Sequence, residues 1–322
     1  MSVASLVGLD WGTSSLRAYL FDQSGTILES RHRPHGIRAL PQGGFNAALA
    51  DVTAGWPNCP RLAAGMVGAR GGWREVPYLD LPIDVAALGA SLDSVAAADG
   101  NAVHLVPGLR NPGRPDVMRG EETQILGALA LDPSLAAHAT LVMPGTHSKW
   151  VSLRGGAIVD FHTSLTGELF ATLLEHSIIG ASPGGAHADD AESDARAAIF
   201  GRGVDEARDS GAAGGFSRLF AIRASMLSGA LATDEIPTML SGLLIGEEIR
   251  AMVAGKEFDV SGRVRLIGDS ALCARYAMAL ERSSIDSAVC AEHVVAHGLW
   301  LIAANAGLVE AGAHSSLSRG NP

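Results

Sequence analysis

The stretch "VGLDWGTSSLRAYLFD", residues Val7–Asp22, decides the fold. Two apolar runs, each of which ends in an aspartate, flank a short segment of glycine and hydroxyl residues. This pattern predicts a β-hairpin, because apolar runs joined by turn-forming residues are typical of paired strands. Backbone N–H groups and hydroxyls at a hairpin tip can hold phosphate oxygens, so the candidate phosphate ligands are Gly12, Thr13, Ser14 and Ser15.

Asp10 stands directly before this tip. A carboxylate in this place can hold Mg²⁺, which prefers oxygen ligands and retains several waters. Asp10 is therefore the candidate metal ligand and a candidate catalytic residue. An ordinary polar turn is the alternative interpretation, because Gly, Asp and Ser are common turn residues.

A second tip of the same kind lies in the second half of the chain. Residues 138–163, "HATLVMPGTHSKWVSLRGGAIVDFHT", read again as strand, Gly-Thr turn, strand, turn and strand. The recurrence predicts a duplicated architecture. A Pro-Gly turn followed by a solvent-facing lysine is the alternative, although Lys149 is one of only two lysines in the chain. The candidate phosphate ligands of this tip are Gly145, Thr146, His147, Ser148 and Lys149.

Two adjacent glutamates, Glu121 and Glu122, stand where a loop enters a helix predicted over residues 121–131. Either carboxylate could be the general base that takes a proton from a substrate hydroxyl. The alternative is that both only interact favourably with the helix dipole. Adjacent residues on a helix point about 100° apart, so we expect only one to serve the chemistry. Glu121 is the preferred base because it lies nearer the loop.

A glycine-rich loop follows the buried strand predicted over residues 61–69. Arg70 can make a bidentate contact with a substrate carboxylate, Gly71 lets a ligand approach the backbone, and Trp73 offers an apolar wall. Arg17 is a further candidate substrate-binding cation, as is Arg74. A plain surface loop is the alternative interpretation.

Residues Gly268, Asp269 and Ser270 follow a strand predicted over residues 264–267. A loop at the carboxyl end of a strand is a usual place for a nucleotide base or ribose. The alternative is that Asp269 or Ser270 caps the following helix.

Composition excludes several classes of function. The chain has 322 residues, enough for about two domains, and its net charge of −10 argues against a nucleic acid or an anionic membrane surface as partner. No apolar stretch reaches the roughly 18–20 residues that span a bilayer. The three cysteines, Cys59, Cys273 and Cys290, are too scattered for a disulfide framework or a zinc site. We therefore expect a cytoplasmic protein with small-molecule partners.

Residues 189–215, rich in Ala, Gly, Asp and Arg, are predicted to form an exposed or mobile connection.

In this order the motifs resemble those of the sugar kinase, heat-shock ATPase and actin superfamily. Asp10-x-Gly12-Thr13 resembles its first phosphate motif, Gly145-Thr146 its second, and Gly268-Asp269-Ser270 occupies the place of its adenosine motif. Within the superfamily the chain resembles the 2-dehydro-3-deoxygalactonokinases, through the phrases "DWGTSSLRAYLFD", "GMVGARGGWREVPY", "MRGEE", "MPGTHSKWV" and "FHTSLTGELF".

The resemblance implies two ribonuclease-H-like α/β domains, over residues 1–136 and 137–322, with ATP in the cleft between them. It implies that the last helix, over residues 293–308, packs back on the first domain. It also implies Mg²⁺-assisted transfer of the γ-phosphate of ATP to the 6-hydroxyl of 2-dehydro-3-deoxy-D-galactonate, in galactonate catabolism.

The chain departs from the superfamily in three places. Pro144 stands where the second motif often begins with Asp, the adenosine motif has Gly268-Asp269 instead of paired glycines, and the base is a glutamate where sugar kinases usually have an aspartate. Other functions stay open: a kinase for the gluconate epimer, a phosphohydrolase in which a glutamate activates water, and an ATP-binding sensor. The oligomeric state is also open, with a homodimer as one alternative.

Overall fold

The computed structural model describes residues 3–180 and 194–310. Its strands are β1 (Ala4–Trp11), β2 (Leu16–Asp22), β3 (Ile27–Arg33), β4 (Arg61–Gly65), β5 (Leu79–Asp80), β6 (Asp93–Ala96), β7 (Ala102–Leu105), β8 (Leu109–Asn111), β9 (Asp116–Met118), β10 (His138–Met143), β11 (Ser148–Arg154), β12 (Ala157–Ser164), β13 (Val264–Leu266) and β14 (Ser287–Val289). Its α-helices are α1 (Gly44–Val52), α2 (Val85–Ala90), α3 (Glu121–Leu131), α4 (Thr166–His176), α5 (Asp194–Arg208), α6 (Leu219–Leu227), α7 (Ile236–Gly255), α8 (Ser270–Arg282) and α9 (Val294–Asn305). Within these ranges no helix is both long and apolar enough to cross a membrane.

The first large sheet has the strand order β3-β2-β1-β4-β7-β6. β1 pairs antiparallel with β2 and parallel with β4, and β4 pairs parallel with β7. Trp11 and Leu16 form the last pair of the β1–β2 hairpin, so residues 12–15 are its tip. The predicted hairpin is confirmed, and β3 continues it as an antiparallel neighbour of β2.

The second large sheet repeats this arrangement. Its order is β12-β11-β10-β13-β14, with β10, β13 and β14 parallel to one another. Strands β3-β2-β1-β4-β7 of the first sheet correspond to β12-β11-β10-β13-β14 of the second. In each set the first three strands of the chain form one side of the sheet in reverse order, and the fourth and fifth follow on the other side. Strand β6 is an additional edge strand of the first sheet. The repeat confirms the predicted duplication and the ribonuclease-H-like α/β fold. A small third sheet has the order β5-β8-β9.

The chain forms two compact units. The first contains the described residues within 1–138, 153–160 and 290–322, and the second those within 139–152 and 161–289. The sequence predicted one division, between residues 136 and 137, and a last helix that returns to the first domain. In the structure α9 lies in the first unit, where it packs against α3 and β1.

Alternation along β1 separates the core from the site. Val7, Leu9 and Trp11 belong to the buried core of the first unit. Asp10 lies between two of them, and successive side chains of a strand point to opposite faces. The strand therefore buries its apolar side chains while it presents the carboxylate on the other face.

Glycines allow α3 and α9 to cross at close range. A Cβ atom on Gly127 would lie 1.7 Å from the carbonyl oxygen of Val294, and one on Gly298 would lie 1.8 Å from that of Thr123. Only a hydrogen atom fits at either position. This contact holds α3, and with it the glutamates at its N-terminus, against α9.

The prediction of a connection over residues 189–215 was wrong over residues 194–208, whereas residues 209–214 form a turn and a short 3₁₀ helix that connect two helical segments. Residues 189–193 lie outside the described ranges, but Asp194–Arg208 form the helix α5. Its buried Phe200 and Val204 pack against α7, and a Cβ atom on Gly203 would lie 2.4 Å from the carbonyl oxygen of Met239. The glycines that suggested a loop instead let two helices pack closely.

Candidate active site

The tip of the β1–β2 hairpin is closed by its own backbone. The Gly12 N–H donates to the carbonyl oxygen of Ser15 at 2.9 Å, and Arg38 N–H donates to that of Thr13 at 3.1 Å. A Cβ atom on Gly36 would lie 2.3 Å from the same Thr13 oxygen, so the neighbouring loop packs directly on the tip. Thr13 and Ser14 are exposed and Ser15 is half-buried. The tip is thus a fixed loop that presents hydroxyls to solvent.

Asp10 is poorly solvated and has one cation nearby. The side chain of Asp10 is 22% exposed. Arg17 is its partner on the neighbouring strand β2, and the Arg17 Nη1 atom lies 3.7 Å from the Asp10 Oδ2 atom. Burial raises the pKa of the Asp10 carboxyl, and the charge of Arg17 opposes this rise. A carboxylate in such surroundings gains stability from a cation that comes close to it.

Glycine backbones bring the end of β1 next to the start of α3. Gly65, at the end of β4, has φ 92°, and a Cβ atom there would lie 2.9 Å from the carbonyl oxygen of Trp11. Gly120, directly before α3, has φ 104°, and its Cβ atom would lie 3.3 Å from the Cα atom of Gly65. Three backbone segments therefore stack in contact, and the structure brings Asp10 and the glutamate pair to one region of the first unit.

The two glutamates differ in exposure. Glu122 is fully buried, and its carboxyl accepts hydrogen bonds from the Gly120 N–H at 2.6 Å and from the Thr123 hydroxyl at 3.1 Å. Burial, followed by the charge of Glu121, raises the pKa of Glu122 to about 8. Glu121 is half-buried, and its Oε2 atom accepts from the Arg119 N–H at 3.0 Å. At neutral pH Glu122 therefore holds its proton in the interior, whereas Glu121 reaches the surface.

The loop that follows β4 separates Arg70 from Trp73. Arg70 and Gly71 are exposed, and nothing lies within 4 Å of a Cβ atom built on Gly71. Trp73 is half-buried, stacks on Phe45 at 5.5 Å and meets the Trp11 ring edge-on at 5.8 Å. The Trp73 ring thus packs against aromatic side chains of the first unit, and its role as an apolar wall for a ligand stays a prediction.

Arg119, directly before Gly120 and the two glutamates, is a further cation of this region. The sequence did not single it out. Its Nη2 atom donates to the carbonyl oxygen of Val76 at 2.7 Å, and its guanidinium lies 4.5 Å above the centre of the Tyr78 ring. Its Nε and Nη1 atoms are buried and have no hydrogen-bond partner among the described residues. A buried donor without a partner typically costs about 1–3 kcal/mol.

The second tip is supported by the N-terminus of α4. A Cβ atom on Gly167 would lie 2.5 Å from the carbonyl oxygen of Gly145, and the Glu168 N–H donates to that of Thr146 at 3.0 Å. His147 Nε2 lies 2.5 Å from Glu168 Oε2. Thr146 and His147 are exposed, so both remain available to a ligand.

Ser148 and Lys149 occupy different surroundings from those expected. Ser148 is fully buried, and its hydroxyl donates to Glu248 at 2.6 Å instead of facing a ligand. Lys149 is only 4% exposed, and its Nζ atom lies 3.5 Å from the carbonyl oxygen of His147. The Ser148 hydroxyl is therefore already bonded inside the protein, which leaves its backbone N–H as the group that could meet a phosphate.

Glu248 is the centre of a buried hydrogen-bond network behind this tip. It lies in α7 with 5% exposure. Its carboxylate accepts from Trp150 Nε1 at 2.7 Å, from the Tyr276 hydroxyl at 2.8 Å, and from the hydroxyls of Ser148 and Thr166. Three elements besides α7 thus meet at one carboxylate.

The loop over residues 268–270 lies beside the second tip, because the tip follows β10 and the loop follows β13, its neighbour in the same sheet. Ile267 N–H donates to the Val142 carbonyl oxygen at 3.0 Å, and a Cβ atom on Gly268 would lie 3.2 Å from that of Pro144. The Asp269 carboxylate accepts from the N–H groups of Ala271 and Leu272, both at 3.1 Å. Asp269 is therefore the N-cap of α8, while Ser270 is exposed and its contact with a nucleotide stays a prediction.

Comparison with known proteins identifies the family. A family model described as 2-keto-3-deoxy-galactonokinase matches residues 10–302. The chain belongs to this family. It is 39% identical to the 2-dehydro-3-deoxygalactonokinase of Escherichia coli over 237 residues, which cover 72% of this chain and 75% of that protein. It is 38% identical to a probable 2-dehydro-3-deoxygalactonokinase of Rhizobium meliloti, over 90% of this chain and 94% of that protein.

A solved structure of a family member has the same fold. The crystal structure of a putative 2-dehydro-3-deoxygalactonokinase from Sinorhizobium meliloti matches with a TM-score of 0.80 and 33% identity. The match covers 93% of this chain and 98% of that one. This member of the 2-keto-3-deoxy-galactonokinase family is thus a kinase with the α/β fold that its sequence predicts.

Arg119 and Glu248 are the two residues of this family member that the sequence analysis missed. Arg119 stands in the phrase "MRGEE", so a signal was present beside the glutamates. Glu248 gave none, because its four donors come from residues between 82 and 100 positions earlier and from one 28 positions later. Distance along the chain hides such a network from any local pattern.

Proposed function

We propose that this chain transfers the γ-phosphate of ATP to the 6-hydroxyl of 2-dehydro-3-deoxy-D-galactonate, in galactonate catabolism. One observation carries the proposal: two sheets of the same topology each place a Gly-Thr tip after their first strand, in a chain of the galactonokinase family. Both tips offer backbone N–H groups and hydroxyls to phosphate oxygens. A kinase that uses ATP and sugar acids works in the cytoplasm, and we propose that compartment. Assembly as a homodimer stays a prediction.

Glu121 is the proposed general base. A base must be unprotonated before it can accept a proton, and the buried Glu122 keeps its own because its pKa is raised to about 8. Glu121 is half-buried and starts α3 next to the strand end that carries Asp10. Glu122 then serves as a neutral hydrogen-bonding group that closes the turn at Gly120.

The sugar acid brings a carboxylate, which an acidic protein must hold with a local cation. Arg70 is the proposed anchor, because its side chain is exposed in a glycine-rich loop of the first unit. Arg17 is already 3.7 Å from Asp10, and Arg119 is held by Val76 and Tyr78. These two cations add positive charge to the same region of the first unit.

In the second unit the proposed ATP ligands are the backbone and exposed side chains of the tip and the neighbouring loop. Thr146 and His147 are exposed, and the Nζ atom of the buried Lys149 lies 3.5 Å from the carbonyl oxygen of His147. The loop over residues 268–270 is the proposed adenosine contact, since it adjoins the tip at the end of β13. Such an arrangement follows the general rule that ligands bind at the carboxyl ends of parallel strands.

Asp10 is the residue proposed to hold Mg²⁺. Among the described residues no group of three or more His, Cys, Asp and Glu side chains could hold a metal ion. A single carboxylate suits Mg²⁺, which keeps several waters and takes substrate phosphates as further ligands. The buried surroundings that raise the pKa of Asp10 also favour a cation there. When bound, the ion would neutralise charge on the phosphate oxygens.

The proposed reaction needs one proton transfer and one bond exchange. Glu121 accepts the proton of the 6-hydroxyl as that oxygen forms a bond to the γ-phosphorus. The bond from the γ-phosphorus to the bridging oxygen of ADP breaks, and ADP leaves with the electron pair. The protein contributes alignment and electrostatic stabilisation, which dominate catalysis in phosphoryl transfer.

An assay of ADP release with a panel of acceptors tests this function. The panel contains 2-dehydro-3-deoxy-D-galactonate, its gluconate epimer, and no acceptor. We expect release that depends on the galactonate-derived acid, with formation of its 6-phosphate. Equal phosphate release without an acceptor would indicate a phosphohydrolase, and faster turnover of the epimer would reassign the substrate.

A further inference from the structure

The buried carboxylate of Glu248 lacks the partner that such groups usually have. It is 5% exposed in the middle of α7, and no Lys, Arg or His among the described residues forms an ion pair with it. Burial of a charge without a cation is costly unless hydrogen bonds compensate. Four side-chain donors surround it, which is nearly the full capacity of a carboxylate.

Two of these donors belong to the second tip and to the helix that supports it. Ser148 belongs to the tip segment and is also the first residue of β11, and it donates at 2.6 Å. Thr166 is the first residue of α4, and a Cβ atom on the next residue, Gly167, would lie 2.5 Å from the Gly145 carbonyl oxygen. One carboxylate therefore ties together the strand that leaves the tip and the helix that supports it.

The other two donors fix the carboxylate itself. Trp150 donates at 2.7 Å from the same face of β11 as Ser148, two residues along. Tyr276 donates at 2.8 Å from α8, the helix that begins at Ser270. Burial and the charge of Glu248 raise the pKa of the Tyr276 hydroxyl well above its ordinary value, so it stays a donor over the whole working pH range.

We propose that Glu248 is a positioning residue, which holds the Gly145–Lys149 tip in the conformation that binds ATP phosphates. The proposal rests on the proposed function, in which this tip is part of the nucleotide site. It assigns to the network a role in ATP affinity, not only in the stability of the second unit. The sugar acid, which we place in the first unit, should be unaffected.

Glu248→Gln is the informative variant because it keeps the volume of the side chain. The indole N–H of Trp150 can only donate, so the one carbonyl oxygen of glutamine should face it. The amide NH₂ then faces the hydroxyls of Ser148, Thr166 and Tyr276. It has two hydrogens to donate, so at most two of these hydroxyls can reverse and accept, and the third loses its partner. The charged acceptor that ties both ends of the tip is thereby lost without creating a cavity, and any hydrogen bond that remains is reversed and weaker.

Calorimetric binding of a non-hydrolysable ATP analogue, together with KM and kcat, tests the proposal. We expect the Kd for the analogue and the KM for ATP to rise about 10- to 100-fold in Glu248→Gln. The KM for the sugar acid should stay within about 2-fold. The controls are Ile249→Val and Ile249→Ala, which alter the next buried residue of α7. The variant whose melting temperature falls as far as that of Glu248→Gln is the matched control. Both Ile249 variants should bind the analogue as tightly as the wild type.

Two outcomes would overturn the proposal. A folded Glu248→Gln protein with wild-type affinity for the analogue would contradict it, as would equal losses in the matched Ile249 control. If Glu248→Gln does not fold, Ser148→Ala and Thr166→Val decide the matter, with an expected 2- to 10-fold loss of affinity each. Failure of the wild type to bind the analogue would instead contradict the proposed function, so the two failures are distinguishable.

Discussion

The buried carboxyl of Glu122 accepts a 2.6 Å hydrogen bond from the N–H of Gly120, two residues earlier. Gly120 has φ 104° and packs against Gly65, so this turn can form only with glycine at both places. Glu122 is thereby fixed inside the protein, while the adjacent Glu121 is left half-exposed at the start of α3. The difference between two neighbouring glutamates leads to the first two predictions.

The stability of the wild type should fall as the pH rises, through Glu122. Its pKa is raised from 4.5 to about 8 on folding, so between these values the folded protein binds more protons than the unfolded chain. Stability from this group is complete below pH 4.5 and is lost progressively up to about pH 8, by a few kcal/mol at about 1.4 kcal/mol per pH unit. Glu122→Gln should remove this slope. Urea unfolding at pH 5.5, 6.5 and 7.5 measures it, and parallel curves for the two proteins would contradict the burial of a protonated Glu122.

Replacement of the two glutamates should separate their roles in catalysis. Glu121→Gln should reduce kcat about 10²- to 10⁴-fold with ATP still bound, as expected when a general base is removed. Glu122→Gln should keep near-normal kcat at pH 7, because glutamine resembles the protonated acid. Steady-state kinetics of both variants measure this, and a loss confined to Glu122→Gln would exchange the assignments.

Asp10→Asn should leave the fold intact and greatly reduce kcat. Charge neutralisation by a metal ion is worth several kcal/mol in such transfers, which corresponds to at least about 100-fold. Asp22→Asn is a matched control at the end of the other hairpin strand, where the carboxylate accepts from Ser24 and Thr26 N–H groups at 2.8 and 3.0 Å. The control should lose stability and keep its kcat. Near-normal turnover of Asp10→Asn at saturating Mg²⁺ would refute the metal assignment.

Arg70→Ala should raise the KM for the sugar acid and leave that for ATP nearly unchanged. A hydrogen bond to a charged group contributes about 1.5–3 kcal/mol, which corresponds to about 10- to 150-fold. Arg110→Ala, which breaks an exposed pair with Asp80, is the control and should change neither constant. A rise in the KM for ATP would place Arg70 with the nucleotide and make Arg17 or Arg74 the candidate anchor.

Gly167→Ala should weaken ATP binding by displacing the second tip. The added methyl group would lie 2.5 Å from the Gly145 carbonyl oxygen, so the backbone must move. Gly262→Ala is the control in the same unit, since nothing lies within 4 Å of a Cβ atom there. Nucleotide titration of both variants should show a clear loss of affinity for the first alone. Unchanged affinity of Gly167→Ala would mean that the tip does not contact ATP.

The sequence predicted the duplicated fold because that information is local. Alternating apolar runs around residues 12–15 and around Gly145-Thr146 specify hairpins directly, and the helix over Glu121–Leu131 has the predicted bounds. The segment from Asp194 to Arg208 was misread because glycine favours loops in isolation, although here it allows α5 to approach α7. Tertiary packing overrode the local preference there.

The site could be predicted only in part for a similar reason. Side-chain types identified the tips and the glutamate pair, but not which hydroxyl faces outward. Ser148 looks like Ser14 in sequence, yet it is fully buried against Glu248 and Ser14 is exposed. The difference depends on where each strand begins, because Ser14 lies inside the first tip, two residues before β2, whereas Ser148 is already the first residue of β11.

The production of a phosphorylated sugar acid tests the central claim most directly. Purified protein, ATP, Mg²⁺ and 2-dehydro-3-deoxy-D-galactonate should give ADP and the 6-phosphate in equal amounts, as followed by phosphorus NMR. Glu121→Gln should form the same product at least about 100-fold more slowly. Release of inorganic phosphate in place of the sugar-acid phosphate, or no dependence on the sugar acid, would contradict the assignment of this chain as a sugar-acid kinase.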